Sequence, residues 1–232
     1  MVGVPVDNVD ATFSGRGWLS LQHADFRQAI IKRGRLLTFR AGEPIFLSGD
    51  EAGGIYGIVS GAIGCEVTTL MSGPTLVHIM QMGWWFGEGP MLFGRRRNMT
   101  FMALEDATLM LVPLQAVRAI ADGDAHAAGV LAQIAEISAV LAIEAGCELL
   151  IRDARQRIAA VLLRVTAVLE GVMPGNPRGF RITQSQLAEM SNASRNHTNV
   201  ALLELQAGGY LVLDYGRIAV LEPRRLAHYV SG

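Results

Sequence analysis

Ser194, Arg195, Asn196, His197 and Asn199 lie within six residues of one another in the stretch SNASRNHTNVALLELQAGGYLV, residues 191–212. A guanidinium can pair with both major-groove acceptors of guanine and a carboxamide can pair with adenine. A Ser or His beside the free amides of a helix start can hold phosphate. This chemistry requires the side chains to stand on the open face of a helix N-terminus. Ser194 can cap such a helix, in which Thr198, Ala201, Leu202 and Leu205 lie at i, i+3, i+4 and i+7 and share the buried side. Arg195, Asn196, Asn199 and Val200 then face outward. Upstream, Thr183 and Gln186 have capping-box spacing and start a short helix through Met190 that turns Leu187 and Ala188 inward. Thr183 and Gln184, at the start of that helix, join the candidate nucleic-acid contacts. SNA leaves room only for a sharp turn, Gly208 and Gly209 stop the second helix, and YLVL, DYG, RIAVL reads as a β-hairpin. The unit is predicted to be a helix-turn-helix with a wing. A protein-binding helical hairpin would show the same polar face, but turn, caps, buried stripe and wing together favour double-stranded DNA.

The rest of the chain must carry and control that unit. Its 232 residues, half of them hydrophobic and 18% charged, allow one large or two modest domains with substantial cores. The formal charge of -1 hides an asymmetry: residues 152–232 hold ten arginines against six acidic residues, leaving ten basic against fifteen acidic before them. A polyanion partner is therefore expected at the C-terminal end. The start, MVGVPVDNVDATFSGRG, has no basic segment followed by an apolar core, so a cytoplasmic location is expected. Two cysteines, Cys65 and Cys147, are too few for a disulfide framework or a four-thiolate cluster and read as buried thiols.

From Arg35 to Pro113 short apolar runs alternate with turn signals, the pattern of an antiparallel β-barrel or roll. Gly42, Gly49, Gly61, Gly73 and Gly83 fall where the chain must reverse. LSLQHADFRQAIIKRG, ahead of it, suggests a short helix with Phe26, Ile30 and Ile31 apolar. AHAAGVLAQIAEISAVLAIEAGCELLIRD suggests one long helix, about 42 Å if helical over about 28 residues. Val130, Ile134, Ile137 and Leu141 form one stripe on it, and Val140, Ile143, Cys147 and Leu150 a second. One stripe can cover the roll and the other needs a further surface, supplied most economically by a twofold-related copy. Which stripe faces the partner is open, so Ile134, Ile137, Leu141, Val140, Ile143, Cys147 and Leu150 are all candidate dimer contacts. Gln133, Glu136, Glu144 and Glu148 argue against a membrane span. A further apolar helix is expected from about Asp153 to Glu170, followed by the Pro- and Gly-rich VMPGNPRGF.

In this order of elements, and in AGEPIFLSGDEAGGIYGIVSGAIG, WWFGE, RDARQRIAAVLLRV and ITQSQLAEMSNASRN, the chain resembles the Crp/Fnr group of bacterial transcription regulators from about residue 20 to 226. The resemblance implies an α+β architecture: an N-terminal tail (1–19), a cyclic-nucleotide-binding-type β-roll (20–124), a dimerisation helix (125–151) and a winged helix-turn-helix (152–232). It implies a homodimer on an imperfect palindrome with half-sites one helical turn apart, with RNA polymerase as a further partner. A signal-binding module that controls a partner protein without touching DNA is the alternative.

The departures matter for specificity and sensing. Where the family's reader often carries Ser-Arg-Glu and a second Arg one turn on, this chain has Arg195, Asn196 and, in place of the second Arg, Val200. Arg195 is expected to favour guanine and Val200 to touch a thymine methyl. In relatives that bind cyclic AMP, a Gly-Glu and an Arg-Ser-Ala hold the ribose and phosphate. The counterparts here are Gly87, Glu88, Arg97 and Asn98, with bulky Met99 in place of Ala, while Ala142 and Ile143 replace the Thr and Ser that contact adenine. Cyclic AMP is therefore disfavoured as effector. Arg95, Arg96 and Arg97 read as a solvated loop with Glu88 a remnant, and a different small anion is the remaining option. No cofactor is assigned. None of the five histidines forms an i, i+4 metal-ligand pair, His78 is only a weak candidate for an axial haem ligand, and no catalytic residue is expected.

Overall fold

The computed structural model describes residues 6–89, 94–166, 179–214 and 216–232. The chain divides into two compact units, residues 1–73 with 79–139 and residues 74–78 with 140–232.

β1 (Arg35–Phe39), β2 (Pro44–Phe46), β3 (Gly54–Ser60), β4 (Ala62–Thr69), β5 (Ser72–Gln81), β6 (Trp85–Phe86), β7 (Thr100–Ala103) and β8 (Ala107–Pro113) form two four-stranded sheets, ordered β1-β8-β3-β6 and β2-β7-β4-β5, which belong to the first unit except for residues 74–78 of β5. The antiparallel roll expected from the glycine punctuation is present. Gly61, at the β3–β4 reversal, has φ +89°, and a Cβ there would stand 2.7 Å from that of Ala107, so only glycine fits. Gly73 lies within the extended β5 and is not among the positive-φ glycines. Between the sheets Phe46, Tyr56, Phe86 and Phe101 form an aromatic cluster in which Phe86 and Phe101 stack 4.6 Å apart.

Residues before 20, read as a tail, instead include α1 (Val6–Gly15) and a 3-10 turn (Trp18–Leu21) that place Val9, Phe13, Trp18 and Leu19 in the core. Burying these large apolar side chains outweighs the cost of ordering the segment. The expected helix that follows is α2 (Ala24–Arg33). After β8 come α3 (Leu114–Gly123) and the long helix α4 (Ala125–Leu149). Val130, Leu131 and Ile134 of α4 complete the same core, and Trp18 Nε1 donates to the Val130 carbonyl at 3.2 Å. Among the described residues α4 is the one helix long and apolar enough to cross a membrane.

The second unit is built on α5 (Ala154–Thr166), which buries Ile158, Ala159, Val161, Leu162 and Val165 completely. The remainder of this predicted helix, and most of VMPGNPRGF, lie outside the described residues. Asp153 accepts from the amides of Arg155 and Gln156, starting α5, and these bonds hold its carboxyl below the usual range. Around α5 stand α6 (Gln184–Met190), α7 (Arg195–Ala207) and α8 (Pro223–Ser231). A three-stranded sheet joins them, ordered β10 (Leu211–Asp214), β11 (Arg217–Val220), β9 (Phe180–Arg181).

Candidate functional site

The two helix starts are made by local hydrogen bonds. Thr183 Oγ1 accepts from the Gln186 amide at 3.1 Å while Gln186 Oε1 accepts from the Thr183 amide at 2.8 Å, a complete capping box. Ser194 Oγ accepts from the His197 amide at 3.2 Å and lies 2.9 Å from His197 Nδ1. The turn between the helices passes through Asn192 at φ +46°, a conformation asparagine tolerates. As the spacing predicts, Thr198, Ala201, Leu202 and Leu205 are buried, while Arg195, Asn196 and His197 are exposed and Asn199 is half-exposed. Val200 is 40% exposed and Leu203, one turn further, 53%. Gln184 reaches α7: its Nε2 donates to Asn199 Oδ1 at 2.9 Å. The open helix N-terminus thus carries a guanidinium, two carboxamides and an imidazole above a fixed apolar floor, a constellation suited to phosphate and base-edge contacts.

Two arginines that sequence reasoning missed hold this unit in shape. Arg157 of α5 donates to the carbonyls of Ser191, Asn192 and Ile151, clamping the turn of the helix pair from behind. Arg164 is buried. Its Nε lies 2.9 Å from both oxygens of Glu148, and its Nη1 2.8 Å from His78 Nδ1 and 3.3 Å from the Val77 carbonyl. Burial raises the Glu148 pKa against the pull of Arg164, and burial followed by Arg164 lowers that of His78 to about 3. A neutral imidazole whose Nδ1 accepts from a guanidinium is a packing group, which does not favour His78 as a haem ligand. Among the described residues no group of three His, Cys, Asp or Glu could hold a metal ion.

The residues aligned with a nucleotide cassette are brought together in the first unit, but not as a solvated loop. Arg97 is 3% exposed: Nη1 donates to the Gly87 carbonyl at 2.7 Å, Nη2 to the Gly54 carbonyl at 2.8 Å, and the guanidinium stacks 4.1 Å from the Phe46 ring centre. Gly87, at φ +95°, leaves room for it, since a Cβ there would stand 2.9 Å from Nη1. Desolvation lowers the Arg97 pKa, and Tyr56, Glu88 and Asp50 oppose that shift. Glu88, also buried, accepts from Ser138 Oγ of α4 at 2.9 Å. Arg95 and Arg96 are exposed as expected, and Asn98 is exposed as well. Met99 Sδ packs 3.6 Å from Cys65 Sγ, whose thiol burial pushes up to about 12. Arg97 thus spends Nη1 and Nη2 on backbone carbonyls, while its buried Nε has no partner among the described residues; the triplet RRR could not reveal this.

Along α4, Ile134 is 2% exposed and sits in the first unit's core, so it has little surface to offer a partner, while Ile137 packs against the same core and stays half-buried. Leu141 is half-buried. Val140, Ile143 (66% exposed), Cys147 and Leu150 (80%) lie open. Cys147 is therefore exposed, against the expectation of a buried thiol.

A model of the cyclic nucleotide-binding domain matches residues 36–124 and one of the Crp-like helix-turn-helix domain matches residues 156–229. No curated protein matches the chain in sequence. Among solved structures, FixK2 from Bradyrhizobium japonicum is 18% identical with a TM-score of 0.70, over 84% of this chain and 96% of its own. A CRP/FNR-family transcriptional regulator from Thermus thermophilus is 21% identical with a TM-score of 0.62, over 85% and 99%. The c-di-GMP responsive global regulator CLP of Xanthomonas campestris is 17% identical with a TM-score of 0.62, over 85% and 99%. At these identities the likeness establishes the fold. The two matched models, in this order along one chain, carry the assignment further: the protein belongs to the Crp/Fnr family of DNA-binding transcription regulators.

Proposed function

We propose that two copies of this chain pair along the open stripe of Val140, Ile143 and Cys147 on α4 and Leu150 just beyond its end. The dimer presents its two α7 starts to an imperfect palindrome with half-sites one helical turn apart. Arg195 reads guanine, Asn196, Asn199 and Val200 read neighbouring base edges, and Thr183, Gln184, Ser194 and His197 hold the backbone. The observation that carries this reading is the exposure of Arg195, Asn196 and His197 over the buried stripe of Thr198, Ala201, Leu202 and Leu205. The protein works in the cytoplasm, with α1 and the 3-10 turn joined to the roll as sensor, α4 as dimer helix and residues 152–232 as reader, and with RNA polymerase as a further partner.

The sensing step is a change in the roll that alters the packing of α4, and the Glu88–Ser138 hydrogen bond is its first link. Cyclic AMP is disfavoured as effector, because two ends of the Arg97 guanidinium are committed to the Gly87 and Gly54 carbonyls. A small anion can take the buried Nε, which has no partner among the described residues, or compete for the two bonded ends, and a roll competent without ligand is the simplest state. Filter binding of genomic fragments tests the reader: the native protein retains a defined subset, and Arg195→Ala loses that preference while remaining dimeric. Equal retention of all fragments by both proteins would refute it.

A further inference from the structure

The outward face of α7 beyond its first turn has an unusual composition for a surface that meets DNA. Asn199 sits beside Val200 and one turn before Leu203, and both apolar side chains are exposed, at 40% and 53%. Asn199 is also held from α6: Gln184 Nε2 donates to its Oδ1 at 2.9 Å. That bond ties the oxygen end of the carboxamide toward α6 and leaves the NH2 end as the group the helix presents. This face therefore offers a hydrogen-bond donor with an apolar patch beside it. In the major groove thymine displays the complement, the O4 acceptor next to the C5 methyl; adenine and guanine have no methyl, and cytosine presents a donor.

Resting on the proposed DNA-reading role of α7, we infer that Asn199, Val200 and Leu203 select a thymine in each half-site. Asn199 donates to O4, and Val200 and Leu203 enclose the methyl. Gln184 is a positioning residue that fixes the polarity of the Asn199 amide.

The test uses the full-length native protein and the duplex it selects from a random pool. Each thymine of that duplex is replaced in turn by deoxyuridine, which removes only the methyl. At one position per half-site the replacement weakens binding about fourfold, the worth of one buried methyl group. Val200→Ala binds the thymine and uracil duplexes more nearly alike. Asn199→Asp keeps the acceptor that Gln184 uses but removes the donor, so its selected site changes from thymine to cytosine at that position. Gln184→Ala relaxes the choice between thymine and adenine there. If the native protein selects a site yet every uracil replacement is neutral, or an adenine occupies the position, the inference is overturned while α7 remains the reader. If no duplex is selected at all, it is the reader assignment that fails.

Discussion

Replacing Arg97 by methionine keeps the volume of the stem and removes the guanidinium. Hydrogen bonds from a charged donor contribute about 1.5 to 3 kcal/mol each, and a desolvated cation over an aromatic ring about 2 kcal/mol. Arg97 makes two such bonds, to Gly87 and Gly54, and stacks on Phe46. Holding an ion in so enclosed a place costs several kcal/mol, offset in part by nearby Glu88. The variant escapes that cost but strands two buried carbonyls, at about 1 to 3 kcal/mol each. Removing the guanidinium also takes a countercharge away from buried Glu88, which adds to the loss. The expected net destabilisation is about 2 to 4 kcal/mol, or a urea midpoint lower by on the order of 1 to 2 M. Equilibrium unfolding followed by tryptophan fluorescence reads it directly, since Trp18 and Trp85 are buried in the same core. A variant within about 0.5 kcal/mol of the native protein, together with saturable protection of the native protein alone by a cyclic nucleotide, would refute the view of Arg97 as a structural group.

Other consequences concern the remaining elements. If α4 pairs with its twofold copy along the open stripe, mild oxidation links two chains through Cys147, and Cys147→Ser abolishes the link while buried Cys65 contributes nothing; no covalent dimer at concentrations where the protein is dimeric would place the seam elsewhere. His78 titrates near 6.5 in the unfolded chain but near 3 when folded. The unfolded state therefore binds the extra proton, and stability falls as pH drops below 6.5. Between pH 6.5 and 5 the loss is about 2 kcal/mol from this group. Glu148, with its pKa raised and paired with the same Arg164, acts in the opposite sense. His78→Gln is expected to flatten the decline in urea midpoint, and an unchanged slope would contradict the assignment. Ser194→Ala removes the cap of α7 and is expected to cost about 1 kcal/mol, read from thermal unfolding, with weaker DNA binding and an intact dimer; a loss of binding with no loss of stability would mean that Ser194 acts only through phosphate.

The reader was legible in the sequence because its determinants are local. Thr183 with Gln186 and Ser194 with His197 are three residues apart, and the buried stripe repeats at helical spacing, so both caps and the floor follow from pattern alone. The roll was legible for a similar reason, through glycines such as Gly61 at its reversals. What escaped depends on distant parts of the chain. The family resemblance singles Arg97 out from Arg95 and Arg96, but its burial follows only once Phe46, Gly54 and Gly87 close around it. Arg164 finds Glu148 and His78, 16 and 86 residues away, by tertiary folding. The two stripes of α4 were visible, but only the core formed by α1, the 3-10 turn and the roll decides that Ile134 turns inward and Ile143 outward. α1 itself was missed because its apolar pair, Val9 and Phe13, is too short a signal without the core that receives it.

The central claim is that the exposed start of α7 reads DNA sequence from both halves of a twofold pair. Selection of bound duplexes from a random pool, run in parallel with the native protein and Arg195→Ala, tests it most directly. The native protein is expected to enrich an imperfect palindrome with guanine-containing half-sites about one helical turn apart, and Arg195→Ala to lose the guanine. Enrichment of no sequence by the native protein, or of the same sequence by both proteins, would contradict it.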